Sequence, residues 1–448
     1  MRISRLVNVK GDLFATGATF VGQGVLRLGS SLILTRILAP EAYGIITILV
    51  SVTYVIEMIS DLGGSVPVIR HRNGDQPHYL NTAWTLRIIR SSANTMLLFF
   101  GAPLIASIYG TALLAAPLRI FAFIFLINGL ESMAFPLAVR RRNARIIMYS
   151  ELVATIVSTL FAITYCYFSR NYWGMLYAIL LNRGVVALIS YHFYPEARPR
   201  LQLDRAAAKD LLSYTRFAMP SSMLTLALNQ FDRVIFLRFF DLKLLGIYGL
   251  AGNLAGQVEA LISKISQMVL YPRCAHNFLA HRDTFSIKYY VENARVFLLI
   301  LAVPAAIGGA AQLIIKTLYD PRYALAGTVL QAFMVRAALL ALASPAEDML
   351  IATGESHIIL VGNVLRAGWM VVGSVTGYEL FGFTGFVYGM SLSGLPTLAY
   401  YLWLQRRKGL LIMRYEFYKL GFLCSLSVSA YAASRMLMSL MPALRVRF

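Results

Sequence analysis

The fold is decided by residues 34–44, which read LTRILAPEAYG and lead into an apolar run followed by DLG at residues 61–63. A similar stretch, LRFFDLKLLGIY, occupies residues 237–248 and leads into a second apolar run. Three residues recur at an offset of 202: Arg36 as Arg238, Gly44 as Gly246, and Glu57 as Glu259. The chain is therefore predicted to contain two related halves. Secondary transporters typically have such repeats and place their substrate path between them.

The composition is that of a membrane protein. Hydrophobic residues make up 58% of the 448 residues and charged residues 14%, against about 45–50% and about 25% in soluble domains. The 41 Lys and Arg residues outnumber the 21 Asp and Glu residues, an excess that would indicate nucleic-acid binding in a soluble protein. Here the basic residues form short clusters between long apolar segments, as cytoplasmic loops of membrane proteins do.

Thirteen apolar stretches are long enough to cross a bilayer at about 20 residues per span. They cover approximately residues 13–38, 43–67, 82–108, 113–138, 147–168, 173–194, 212–238, 244–271, 289–315, 324–352, 357–379, 382–404 and 415–441. The short alternating segments of a transmembrane barrel are not visible. Because backbone groups in a bilayer must be paired internally, the sequence predicts an all-α integral membrane protein.

The spans divide into two repeat-related six-helix lobes, about 12 core helices in all, around a central cavity. The predicted lobes are residues 1–194 and 212–405, joined by a cytoplasmic linker at 195–211. Pro195 and Pro199 oppose a continuous helix through that linker. Residues 406–448 form a C-terminal hydrophobic tail, and the sequence leaves open whether its segment 415–441 spans the membrane.

Charge in the connections predicts the orientation. Basic clusters such as Arg140 to Arg145 and Arg198 to Lys209 follow even-numbered spans. The positive-inside rule then places them and the N-terminus in the cytoplasm. The connection after the tenth span is the exception, because Glu347 and Asp348 make it acidic, and the sequence offers no account of this.

Ionisable residues inside predicted spans are the candidate site residues, because a charge at the bilayer centre costs at least about 2.5–3.5 kcal/mol and marks a cavity or a partner. The candidates for substrate binding are Arg27, Arg336, Arg233 and Arg366. The candidates for coupling or gating are Glu57, Glu259 and Asp232.

A guanidinium matches phosphate oxygens bidentately and is more weakly hydrated than an ammonium. For Arg27 and Arg336 we favour a cavity-facing role over pairing with a carboxylate of a neighbouring helix. For Arg233, which follows Asp232 in the chain, pairing is favoured instead.

Several short motifs make the chain similar to a known family. Residues 34–44 with 61–63, and NQFD at 229–232 followed by LGIY at 245–248, resemble the polysaccharide-type flippases of the multidrug/oligosaccharidyl-lipid/polysaccharide exporter superfamily. So do YPR at 271–273 and SP at 344–345 followed by ATG at 352–354. The resemblance covers roughly residues 10–405, and its motifs specify the family better than the substrate.

The resemblance implies a flippase of the bacterial inner membrane that works by alternating access. It would translocate undecaprenyl-diphosphate-linked oligosaccharide repeat units for exopolysaccharide, O-antigen or capsule biosynthesis. The implied partners are the lipid-linked oligosaccharide, membrane lipids and, beyond them, a polysaccharide polymerase and chain-length machinery.

Two other functions remain open from the sequence. One is a drug/cation antiporter of the same superfamily, which would use cavity carboxylates without central arginines. The other is a membrane enzyme, a polymerase or ligase, acting on lipid-linked sugars. The chain has no GxxxxGK[ST], GxSxG or HExxH motif, so we expect no enzyme activity, no metal and no cofactor.

Overall fold

The computed structural model describes residues 9–60, 66–141, 143–194, 197–213, 240–280, 284–354 and 357–445. Across these ranges the chain is helical and contains no β-strand. The same ranges include nine helical segments long and apolar enough to cross a membrane. The predicted all-α membrane fold is thus confirmed. The chain divides into two compact units between Leu242 and Lys243.

Over its described residues, the first unit contains nine α-helices that we label in chain order, with a further helical stretch at residues 205–213. They are α1 (Val9–Ile37), α2 (Pro40–Ile59), α3 (Val66–Arg70), α4 (Pro77–Ile108), α5 (Ala115–Phe121), α6 (Phe123–Leu130), α7 (Ala134–Arg140), α8 (Ala144–Ser169) and α9 (Trp173–Ser190). Helix α8 packs against both α9 and α1, and α4 packs against α6.

The second unit continues with seven labelled helices over its described residues. They are α10 (Leu242–Ile265), α11 (Tyr271–Ala280), α12 (Phe285–Leu318), α13 (Ala326–Ala352), α14 (His357–Ser391), α15 (Gly394–Arg407) and α16 (Met413–Arg445). A π-helical turn, Ser266–Leu270, connects α10 to α11. Helix α12 packs against α13 and α16.

Helices α2 and α10 carry the repeated sequence. Pro40 is the first residue of α2, where its missing N–H has no helical partner to lose. Helix α10 begins at Leu242, at the 202-residue offset from Pro40. Gly44 and Gly246 are buried inside these two helices. The superposition of two whole six-helix lobes stays a prediction, as do the predicted domain limits.

Most predicted spans correspond to helices. The first and eighth are α1 and α10, which are helical but are not among the nine segments long and apolar enough to cross a membrane. The eleventh and twelfth lie in one long segment, His357–Arg407. The seventh, 212–238, falls almost entirely outside the described residues.

Helix α14 is a helical hairpin with its bend at Phe381 and Gly382, where Gly382 has φ = 60°. The two arms touch through glycines: a Cβ on Gly377 would collide with the carbonyl of Gly385. Small residues let membrane helices approach to backbone contact in this way. The glycines therefore allow two predicted spans to pack tightly around one bend.

The C-terminal tail forms helix α16, which is long and apolar enough to cross a membrane from Met413 to Leu440. It packs along α12. The hydroxyl of Tyr290 donates to Oε1 of Glu416 at 2.7 Å, and the same oxygen lies 2.7 Å from Nζ of Lys419. Farther along, Ser434 Oγ donates to the carbonyl of Gly309 at 3.0 Å. The tail is therefore integrated into the second unit.

The predicted linker is fixed to the first unit where it is described. The Asn81 amide donates to Gln202 Oε1 at 3.1 Å, and the Gln202 backbone N–H donates to Thr85 Oγ1 at 3.1 Å. Tyr79 donates to Oδ2 of Asp210 at 2.9 Å. The start of α4 thus holds the linker through side chains that pair its backbone.

Candidate functional site

One face of helix α13 remains open in the second unit. Between residues 336 and 351, all residues are buried except Arg336, Leu340, Glu347 and Ile351. Their spacings of four, seven and four residues place them on a single helix face. We call this face, with the side chains of α10 and the π-helical turn that meet it, the polar stripe. It also includes Glu259, Ser263, Ser266, Gln267, Ser344 and Asp348.

Arg336 and Glu259 form an ion pair at one end of the polar stripe. Nε of Arg336 lies 2.7 Å from Oε1 of Glu259, and the side chains are 18% and 23% exposed. The guanidinium carbon also lies 4.7 Å from the ring centroid of Phe333. Charge-assisted bonds of this length are among the stronger hydrogen bonds in proteins. The structure thus brings together two residues that the sequence assigned separately to substrate binding and to gating.

A cavity of about 380 Å³ lies farther along the polar stripe. Oδ2 of Asp348 accepts hydrogen bonds from Ser266 Oγ at 3.0 Å and from the Tyr289 hydroxyl at 3.4 Å. Ser344 Oγ donates to Ser266 Oγ at 2.7 Å. Asp348 is only 6% exposed, and burying a carboxyl group is costly unless it is hydrogen-bonded. The hydroxyls therefore compensate the burial of Asp348.

The backbone is irregular on both sides of this cavity. Ser266 begins the π-helical turn after α10, and Pro345 lies inside α13. π-Helical turns occur frequently at functional sites, and a proline removes one backbone hydrogen bond of its helix. Ser266 thus lies in an irregular turn, and Ser344 directly precedes the proline of α13.

Glu347 and Asp348, which the sequence left as an unexplained acidic connection, lie inside α13. Arg366 on α14, a predicted substrate residue, interacts electrostatically with Glu347. Burial, with the Asp348 charge as a further cause, raises the pKa of the Cys274 thiol on α11. The sequence could have indicated that Ser344 and Glu347 belong to the same site as Arg336. They follow Arg336 by eight and eleven residues and so share its helix face.

The first unit has a separate cavity of about 250 Å³ between α1, α8 and α9. Its polar lining residues are Arg27, Ser30, Thr155, Ser158, Thr159, Asn182 and Arg183. Asn182 Nδ2 donates to Ser158 Oγ at 3.2 Å. Arg183 Nη1 lies 3.5 Å from Glu151 Oε1. The sequence predicted Arg27 in this group and missed both Arg183 and Glu151.

Arg27 is exposed on α1. Among the residues that the structure describes, its guanidinium has no hydrogen-bond or ion-pair partner. Glu57 is half-buried on α2, and its carboxylate likewise has no partner within the described ranges. Asp232 and Arg233 lie outside the described residues. The roles assigned to all seven candidates stay predictions.

Comparison with known proteins gives one family and several relatives. Residues 33–326 match the family model described as polysaccharide biosynthesis protein. The succinoglycan biosynthesis transport protein ExoT of Rhizobium meliloti is 21% identical over 77% of this chain and 70% of its own length. The teichuronic acid biosynthesis protein TuaB of Bacillus subtilis is 20% identical over 67% of this chain and 62% of its own length.

Two solved structures share the fold over most of the chain. The lipid II flippase MurJ in an inward closed conformation covers 97% of this chain and 100% of its own, with a TM-score of 0.66 and 11% identity. A multidrug resistance MATE family transporter of the MOP superfamily, facing inward, covers 87% and 95%, with a TM-score of 0.64 and 16% identity. At these identities the likeness concerns the fold alone.

Proposed function

Because the chain belongs to the polysaccharide biosynthesis protein family, we propose that it is a flippase for undecaprenyl-diphosphate-linked oligosaccharides. It moves them across the bacterial inner membrane by alternating access. The resemblance that the sequence carries to polysaccharide-type flippases is confirmed at the level of the family. One relative is named for succinoglycan transport and another for teichuronic acid biosynthesis, which supports a polysaccharide precursor as the cargo.

The observation that carries the proposal is an arginine on a polar face in each unit. Arg27 lines the cavity between α1, α8 and α9, and Arg336 lies on the polar stripe. Both belong to long helices of a membrane protein, where a charge is costly and usually functional. A guanidinium is the side chain best suited to hold phosphate oxygens in two-point contact. Arg27 and Arg336 are therefore our choice for the residues that contact the lipid diphosphate.

The membrane potential is sufficient to favour export. An inside-negative potential contributes about 2.3 kcal/mol per charge per 100 mV. A diphosphate with about two negative charges therefore gains roughly 4–5 kcal/mol on leaving the cytoplasmic side. Glu57, Glu259 and Asp232 remain proposed as gating or coupling residues.

Flipping by the purified chain tests this function. Proteoliposomes that contain the full chain and a lipid-linked oligosaccharide on the inner leaflet should expose the saccharide to an impermeant glycosidase added outside. Protein-free liposomes and liposomes with an unrelated membrane protein should not. Saccharide exposure at the rate of the protein-free control would contradict the proposal. Elongation of the saccharide would favour the enzyme, and cation-dependent efflux of a drug would favour the antiporter.

The proposed orientation has its own test in a cysteine-free background. Gln202 is exposed in the linker, and Asn171 is exposed between α8 and α9. A single Gln202→Cys should react with an impermeant maleimide only after spheroplasts are permeabilised, because the linker is proposed to be cytoplasmic. Asn171→Cys, on the opposite side, should react in intact spheroplasts. The reverse pattern would show that the orientation is wrong.

A further inference from the structure

We infer that the Glu259 carboxylate is an internal anion that holds Arg336 until a phosphate group of the substrate replaces it. The inference rests on the proposed function and adds a regulatory step to the same site. In the structure the ion pair connects α10 to α13. Exchange of the carboxylate for a phosphate oxygen at Arg336 removes that connection.

The position of the ion pair allows this exchange. Arg336 belongs to the open face of an otherwise buried helix, and both partners keep part of their side chains exposed, 18% for Arg336 and 23% for Glu259. An incoming phosphate group can therefore reach the guanidinium without prior unfolding of the helix. The displaced carboxylate can be solvated through the same opening.

A second ion pair in the same unit shows what a closed arrangement looks like. Lys419 and Glu416 are 2.7 Å apart, and their side chains are only 5% and 8% exposed. The Tyr290 hydroxyl donates to Glu416, and the Lys419 ammonium lies 5.3 Å from the Tyr290 ring centroid. This pair lies within one helix, at i and i+3. The hydrogen bond from Tyr290 connects this pair on α16 to α12. Because both side chains are buried, an incoming anion has no access to them.

The chemistry of the partners also favours exchange. A guanidinium is protonated at any physiological pH, so Arg336 requires an anion whenever it lies in an apolar environment. A carboxylate and a phosphate present oxygens of similar spacing to the guanidinium fork. One anion can therefore replace the other while Arg336 remains compensated throughout.

The exchange would connect substrate binding to movement. Glu259 lies on α10 and Arg336 on α13, and the two residues are 77 positions apart in the chain. A ligand shifts a conformational equilibrium only by binding one state better than another. A phosphate that releases Glu259 favours the states in which α10 and α13 are no longer tied. Substrate occupancy is thereby converted into freedom for the two helices to move.

Binding of farnesyl diphosphate to the purified full chain tests the exchange. Removal of the competing carboxylate in Glu259→Gln should tighten binding about tenfold, which corresponds to about 1.4 kcal/mol. Arg336→Gln should weaken binding by at least a similar factor. In the Arg336→Gln background, Glu259→Gln should bring no gain, since the two residues act through one another.

Glu379→Gln is the matched control, because it removes one negative charge from the same unit at an exposed position of α14 outside the polar stripe. It should change the affinity less than twofold. Equal tightening by Glu379→Gln and Glu259→Gln would show a general charge effect and overturn the exchange. Phosphatidylglycerol that competes as well as farnesyl diphosphate would also overturn it, by assigning the site to membrane lipid.

The fold of each variant is checked by thermal unfolding. Should Glu259→Gln not yield folded protein, Glu259→Asp replaces it, because the shorter side chain withdraws from Arg336 and should tighten binding to a smaller extent. An unchanged affinity in the folded Glu259 variant, with flipping intact in the wild type, would reject the exchange and leave the proposed function standing. Failure of the wild type to flip lipid-linked oligosaccharide would instead reject the function.

Discussion

Arg27 in the first unit and Arg336 in the second lie in different surroundings. Arg336 is paired with Glu259 across two helices. Arg27 lines a cavity, and its guanidinium has no partner among the described residues. Within the described residues, the first unit thus presents a guanidinium in a cavity, whereas the second unit presents one that already holds a carboxylate. A charged residue in the middle of a predicted span indicates where a site lies. Whether that residue is paired with an oppositely charged side chain determines how it can bind a ligand.

The largest expected difference between the two arginines is in stability. Arg336→Ala removes the partner of the Glu259 carboxylate, which is 23% exposed, and should cost about 1.5–3 kcal/mol of unfolding free energy, the range for a hydrogen bond to a charged group. Arg27→Ala removes no described contact and should change stability by at most about 0.5 kcal/mol. Unfolding of the purified variants in a detergent titration measures both. Equal losses of stability in Arg336→Ala and Arg27→Ala would contradict the proposed difference between the two arginines.

A smaller difference in unfolding free energy is expected between variants of the hydrogen-bond networks in the two cavities. Asp348→Leu removes the acceptor of Ser266 and Tyr289 and should cost about 1–3 kcal/mol, because buried hydroxyls are left unpaired. Asn182→Leu removes one hydrogen bond to Ser158 in the first unit and should cost about 1 kcal/mol. Asp348→Asn keeps an acceptor oxygen and serves as the control. A loss for Asp348→Asn as large as that for Asp348→Leu would argue against the hydrogen-bond account.

The smallest effect on stability is expected at one exposed ion pair of the first unit, Arg183–Glu151. Arg183 and Glu151 are 3.5 Å apart, with side chains 43% and 31% exposed. Arg183→Gln should therefore cost no more than about 1 kcal/mol, and the cost should shrink further as salt is raised. Unfolding titrations at low and high salt provide the measurement. A cost that matches that of Arg336→Ala would mean that exposure does not separate the two pairs.

Much of the fold could be predicted from the sequence because it depends on local patterns. The length of the apolar segments predicts the helices. The recurrence of Arg36, Gly44 and Glu57 at one offset predicts that α2 and α10 occupy corresponding positions in the two halves of the sequence. The hairpin in α14 was harder to predict from the sequence. Its two arms were predicted as separate spans, but the close contact between Gly377 and Gly385 depends on how the arms pack.

The charged residues of the site could be predicted from the sequence, but the contacts between them could not. Glu259 and Arg336 were both identified, but 77 residues separate them, and helical periodicity carries no information across that distance. Ser266, Tyr289 and Asp348 meet for the same reason only after three separate helical segments have packed. Arg183 was missed although it lies near the middle of the predicted sixth span, 173–194, and so met the criterion that selected Arg27. Glu151 lies near the start of the fifth span, 147–168, where a charge is less conspicuous.

Flipping by arginine variants tests the central claim most directly. Arg27→Ala and Arg336→Ala, each reconstituted at equal amounts of folded protein, should slow saccharide exposure about tenfold or more, since each removes a charge-assisted contact worth about 1.5–3 kcal/mol. The corresponding Lys variants should recover part of the rate, because they restore charge without the guanidinium fork. Arg295→Ala, an exposed arginine of α12, should flip at the wild-type rate. Wild-type flipping by both folded Ala variants would contradict the claim that these two arginines contact the lipid diphosphate.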